Sequence, residues 1–143
     1  METTRIEKRI GIRAPAERIW DFIGDFDRWH EWNPYETEVS GYFGFGAPIS
    51  LIESLPGLPS RQVEARLGDW QPQSQMIWSE KRGFMFSSVR FIRIEQLAPR
   101  SCILSQGVNF SGLRGELFHD KHKAPIRSAY EALCENLKQL AEA

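Results

Sequence analysis

The sequence predicts an α+β fold in which one antiparallel sheet is segregated from its helices. Three observations predict it. Residues 5–12 alternate almost strictly; residues 35–110 carry short apolar or alternating runs separated by glycine- and proline-bearing turns; and beyond Gly115 the apolar period lengthens from two to helical spacing.

In the first run Ile6, Lys8, Ile10 and Ile12 share one side and Arg5, Glu7, Arg9 and Gly11 the other, the pattern of a half-buried strand. Ala14-Pro15 ends it, and Pro15 with Glu17 opens a helix, since proline lacks only a donor that the first turn leaves unused. Ile19, Trp20, Ile23 and Phe26 recur at helical spacing until Gly24-Asp25 breaks the pattern. A second short helical turn is expected over 27–32, stopped by Asn33-Pro34. Six further strands follow over 35–40, 48–54, 61–70, 74–81, 86–97 and 101–110, with turns at 41–46, 56–59, 71–73, 82–83 and 98–100. Finally Ile126, Tyr130, Leu133, Leu137 and Leu140 form the apolar stripe of a long helix beginning near Gly115, in which Pro125 is expected to make a kink or start a second segment.

The 143 residues suit one domain over 1–143, and a content of 41% hydrophobic and 12% aromatic residues supplies a substantial core. With 18 basic against 19 acidic side chains the net charge is -1, which argues against nucleic acid as a partner. Cys102 and Cys134 are too few and too isolated for a disulfide framework or a metal site, and are expected to be reduced and buried. Residues 1–11 lack the apolar core of a leader peptide, and no run is long enough for stable membrane insertion, so a cytoplasmic location is expected. Seven strands and one long covering helix favour a curved sheet that encloses a space against that helix.

The run from Ile10 to Pro34, with Ala14-Pro15-Ala16-Glu17-Arg18-Ile19-Trp20 and Trp29-x-x-Trp32-Asn33-Pro34, resembles the start of the SRPBCC superfamily, and Phe110-Ser111-Gly112-Leu113 with the final helix resembles its end. That superfamily includes START-like lipid carriers, pollen-allergen-like proteins and polyketide cyclases. The resemblance implies a helix-grip fold, a curved seven-stranded antiparallel sheet around the carboxyl-terminal helix, with two short helices between the first two strands and a deep hydrophobic pocket. It implies no cofactor and assigns no catalytic residue, because no catalytic motif is shared across the superfamily.

Trp32, Trp78, Arg90, Phe91, Asn109, Leu117 and Phe118 are the expected ligand-binding residues. Trp29 and Trp32 read first as packing between the short helices and the sheet and second as a surface on which a ligand stacks, and Trp20 reads as core. Arg90 or Arg93, if turned inward, would anchor a carboxylate; turned outward, each would be a snorkelling rim residue. Lys8 poses the same question, and Met76 beside Trp78 reads as lining or as core. Gln62, Glu64 and Arg66 read as the solvent side of their strand. His119 and His122 have the spacing of half a metal site, but a third ligand is missing and Lys121, Lys123 and Arg127 oppose a cation; a solvated helix face is expected and no metal. His30 beside Glu31 has the chemistry of a general base or of a surface residue.

The leading expectation is binding, transport or sequestration of a hydrophobic small molecule such as a lipid or polyketide. One alternative is a polyketide cyclase or dehydratase using a pocket acid or base, for which His30, His119, Glu36 and the two arginines are candidates. The other is a protein-interaction module built on Tyr42, Phe43 and Phe45. Alternation does not decide which face of the last two strands points inward.

Overall fold

The computed structural model describes residues 4–143; residues 1–3, where the segment read for a leader begins, lie outside the described residues. The chain runs β1 (Arg5–Ile12), α1 (Ala16–Ile23), a 3-10 turn (Phe26–Glu31), β2 (Glu36–Gly41), β3 (Pro48–Glu53), β4 (Arg61–Gln71), β5 (Gln75–Gly83), β6 (Phe86–Ala98), β7 (Ser101–Ser111) and α2 (Leu113–Glu142). All seven strands form one antiparallel sheet in the order β1-β7-β6-β5-β4-β3-β2. The excursion through α1 and the 3-10 turn therefore carries the chain from one edge of the sheet to the other.

Alternation translates directly into the pleat. In β4, Val63, Ala65 and Leu67 are buried while Gln62, Glu64 and Arg66 are exposed, as expected for a sheet with one covered face. The pairing shifts between Thr37 and Ser40 in β2 and between Leu67 and Trp70 in β4, irregularities of the kind that bend and twist a strand locally. Glu38, inside the first of them, has a φ of 52°, a left-handed backbone uncommon for a non-glycine residue.

The helix α2 lies across β1, β7 and β6 and buries Ile126, Ala129, Tyr130, Leu133, Cys134, Leu137 and Ala141. It begins two residues before Gly115 and continues through Pro125 as a single helix, where a kink or a second segment was expected. Proline at 125 removes the helical bond to the Lys121 carbonyl, and Lys121 lies on the exposed side of the helix, where the lost bond costs least.

Between β1 and β2 the two indoles satisfy backbone groups. Trp29 Nε1 donates to the Ile23 carbonyl at 2.8 Å and Trp32 Nε1 to the Phe22 carbonyl at 3.1 Å, so both cap the carboxyl end of α1. Their rings are 1% exposed and stand 4.9 Å apart between α1 and the sheet. Trp20 is only half-buried, packed on the core's edge against Phe43. Both cysteines are buried and free; burial pushes the Cys134 thiol up to about 12, which keeps it protonated and unreactive at neutral pH.

Candidate functional site

The concave face of the sheet and α2 enclose a cavity of about 20 Å³, room for about one water molecule. Successive inward positions build its walls. Leu51 and Glu53 come from β3, Arg61 and Val63 from β4, Trp78, Glu80 and Arg82 from β5, Ser88 and Arg90 from β6, and Val108 and Phe110 from β7. Leu55 closes one side from the β3–β4 loop, and Ile126 and Tyr130 close the top from α2. Register brings them together: Glu53 pairs with Arg61, Trp78 with Arg90, Arg90 with Val108, and Ser88 with Phe110. The lining is thus apolar in its frame and charged at its centre.

Two ion-pair networks occupy that centre. In the first, Arg90 donates from Nη2 to Glu36 Oε1 at 2.8 Å and from Nε to Glu36 Oε2 at 3.1 Å, a two-pronged contact with side chains only 6% and 4% exposed. Arg90 also donates to Gln106 Oε1 at 2.8 Å and to its neighbour Phe91's carbonyl at 2.9 Å. Asn33 holds the acid from the other side: its Nδ2 donates to Glu36 Oε1, and its Oδ1 accepts from the Tyr35 and Glu36 backbone N–H groups. The guanidinium lies 4.5 Å from the Tyr130 ring and 5.2 Å from the Trp78 ring. Burial pulls the Arg90 pKa down, but the charge of Glu36 more than reverses it, so the guanidinium stays charged. Gln106 Nε2 is the single buried side-chain polar atom left without a partner among the described residues.

In the second network, Arg61 donates to both oxygens of Glu80 at 2.7 and 2.8 Å and to Glu53 Oε1 at 2.9 Å. Burial lowers the Arg61 pKa, but the bonds and charges of the two carboxylates raise it by more, so the net shift is upward. Arg82 stands beside this network but 4.0 Å from Glu53 Oε1, with burial and the repulsion of Arg61 holding its pKa below the usual value. Burial pushes the Tyr130 phenol upward, so it is a neutral O–H donor at physiological pH.

Of the expected ligand-binding residues, Trp78 and Arg90 line the cavity. Phe118 stands just outside, against Phe86, Phe110 and the Arg82 guanidinium, and Leu117 points outward with 61% exposure. Trp32 is behind the wall, engaged with α1. Phe91 and Asn109 project from the opposite face of the sheet, because Arg90 and Val108 take the inward positions. Phe91 is nevertheless 1% exposed, since Arg5 and Arg93 lie over its ring at 4.4 and 4.8 Å. Arg93 is therefore an outer-face residue.

His119 departs from the expected solvated helix face. It is 4% exposed, with Nδ1 3.0 Å from Asp120 Oδ1. Among the described residues no group of three metal-ligating side chains gathers around it or elsewhere. His30 is exposed, whereas Glu36 and Arg90 are inside, so an acidic and a cationic group do occupy the cavity. Lys8 reaches toward Glu131 on α2 at 3.8 Å, and Met76 is core. In the 41–46 turn Phe43 packs on Trp20, Phe26 and Trp70, leaving Tyr42 and Phe45 exposed at 63% and 86%.

Glu53, Arg61, Glu80, Arg82, Ser88 and Tyr130 were not singled out by the sequence. Period two carries part of the signal: Glu80 and Arg82 continue the inward register of Met76 and Trp78, and Arg61 continues that of Val63.

Residues 3–142 match the family described as polyketide cyclase / dehydrase and lipid transport. The chain belongs to this family. Among curated proteins no sequence matches it significantly. A START superfamily protein from Mycobacterium smegmatis superposes with a TM-score of 0.74 at 18% identity, over 96% of this chain and 97% of that one. A norcoclaurine synthase from Thalictrum, solved as a point mutant with a transition-state analogue, superposes with a TM-score of 0.69 at 11% identity, over 96% and 92% of the two chains. The di-domain aromatase/cyclase StfQ of the steffimycin pathway gives 0.77 at 8% identity, over 97% of this chain and 51% of that one. At these identities the likenesses establish the START-like helix-grip architecture of this family member. Among its described residues no helix is long and apolar enough to cross a membrane.

Proposed function

We propose that this family member binds a small, mainly apolar organic molecule between the concave face of the sheet and α2, with charged groups fixing its orientation. The observation that supports this reading is the composition of the cavity: an apolar frame of Leu51, Leu55, Val63, Trp78, Val108 and Ile126 around a few convergent polar groups. The family description, which covers both polyketide chemistry and lipid transport, points the same way. At about 20 Å³ the cavity holds water rather than such a molecule, so binding selects a widened state in which Leu55 and the side chains at the mouth move apart. The cost of that widening lowers affinity and sharpens selection by shape.

A second reading, catalysis on the bound molecule, is favoured by the Tyr130 hydroxyl and the Arg82 cation facing the same space. Tyr130 would supply a proton and the cation would stabilise a developing enolate oxygen.

Native mass spectrometry of the chain purified from its own host tests both readings. The expected spectrum has a reproducible small-molecule adduct that denaturing conditions release. Bare protein in every preparation would contradict binding. An adduct that leaves with an unchanged mass after incubation supports a carrier, and conversion to a cyclised or dehydrated mass supports an enzyme.

A further inference from the structure

We infer that the molecule this cavity takes carries a single carboxylate, received by Arg82 in the cavity wall; the inference rests on the binding reading above and names its ligand class. Three guanidinium groups line the cavity, and two have carboxylate partners. Arg90 is committed to Glu36, Gln106 and a backbone carbonyl, and Arg61 to Glu80 and Glu53. Arg82 is not: its side chain is 9% exposed, yet the nearest carboxylate oxygen, Glu53 Oε1, lies 4.0 Å away and already accepts from Arg61 at 2.9 Å.

The surroundings of Arg82 hold it without satisfying it. The Phe86, Phe118 and Phe110 rings lie 4.7, 4.8 and 5.6 Å from its central carbon. Such rings favour a cation but offer no lone pair to the in-plane N–H groups, which face solvent and no protein acceptor. A planar fork of donors, fixed by aromatic packing and short of acceptors, has the geometry that a carboxylate meets with two parallel bonds. The Ser88 and Tyr130 hydroxyls face the same cavity and can extend that donor set.

Charge count limits the ligand to one negative charge. Arg61, Arg82 and Arg90 balance Glu36, Glu53 and Glu80, so the lining is neutral in sum, with Glu53 and Glu80 both hydrogen-bonded to Arg61 and with no carboxylate accepting a hydrogen bond from Arg82. A single carboxylate on Arg82 gives the cavity one net negative charge, whereas a phosphate dianion would give it two, with Glu53 Oε1 4.0 Å from the same guanidinium. An apolar body with one carboxylate leaves the remaining walls, such as Leu51, Val63 and Val108, in contact with hydrocarbon.

The test titrates the wild-type chain with linear carboxylic acids of increasing length and with their methyl esters and matching alcohols, by calorimetry. Carboxylates are expected to bind about tenfold more tightly than esters of equal length, and Arg82→Gln to reduce that preference to about twofold or less while ester binding persists. On the wild type alone, a 13C-carboxyl label is expected to stay ionised to a lower pH when bound than when free, a readout independent of how the variant folds. Equal affinity for acids and esters, or a bound carboxyl that titrates at or above its free value, would overturn the inference and leave the binding reading standing. If acids, esters and alcohols all fail to bind at any length, the binding reading itself fails, and this inference with it.

Discussion

Replacing Arg90 by leucine is expected to lower the stability of the fold by about 3–5 kcal/mol, the usual consequence of removing one member of a buried ion pair. The loss comes less from the missing attraction than from what stays behind. Glu36 is 3% exposed and its oxygens would keep only the Asn33 amide, so a carboxylate would be left uncompensated among Trp78, Tyr130 and Val108, or forced to take up a proton. Glu36→Leu strands the cation and is expected to cost a comparable amount. The double variant Glu36→Leu/Arg90→Leu is expected to be more stable than either single one, because both desolvated charges leave together. Urea unfolding of the four proteins checks this; strictly additive losses would show that the pair acts as two independent side chains.

Gly107→Ala is expected to cost about 3 kcal/mol, at the upper end for overpacking. An added Cβ would lie 2.2 Å from the Ile6 carbonyl oxygen, 2.6 Å from Phe91 Cζ and 3.0 Å from Glu7 Cα. Two of these atoms belong to the backbone of β1, the edge strand paired to β7, and the third to a ring clamped under Arg5 and Arg93. Backbone cannot swing aside as a flexible side chain does, so β1 would have to separate locally from β7. Gly11→Ala in the same pair of strands is the control, since nothing lies within 4 Å of its added Cβ. It is expected to be neutral or slightly stabilising. Amide exchange should accelerate along β1 in the first variant alone; equal exchange in both would show that the close approach at Gly107 carries no energetic weight.

These two sites mark where sequence reading succeeds and where it stops. The strands were legible because a sheet with one covered face writes its pleat into the chain, as Val63, Ala65 and Leu67 do against Gln62, Glu64 and Arg66. The long helix was legible from the Ile126 to Leu140 stripe, and the bland reading of Trp29 and Trp32 as packing fits their bonds to α1. Orientation in β6 was not legible, since both registers mix arginine with apolar residues. What turns Arg90 inward is Glu36, 54 positions earlier, together with Gln106, and what allows Phe91 to be buried on the outer face is a roof of two arginines. Neither relation has a local pattern. The size of the cavity was equally hidden, because it is set by how side chains from six strands and a helix fill one volume. The resemblance implied a deep hydrophobic pocket; most of the aromatic rings instead fill the interior or clamp arginines.

The central claim, that a ligand enters the interior beneath α2, is tested most directly by methyl NMR. Decanoate is titrated into chain labelled at leucine, valine and isoleucine methyls. The account predicts that Leu51, Val63, Val108 and Ile126 shift together and saturate with one binding curve. Unmoved interior methyls, with shifts confined to exposed positions such as Leu113 and Leu117, would contradict it.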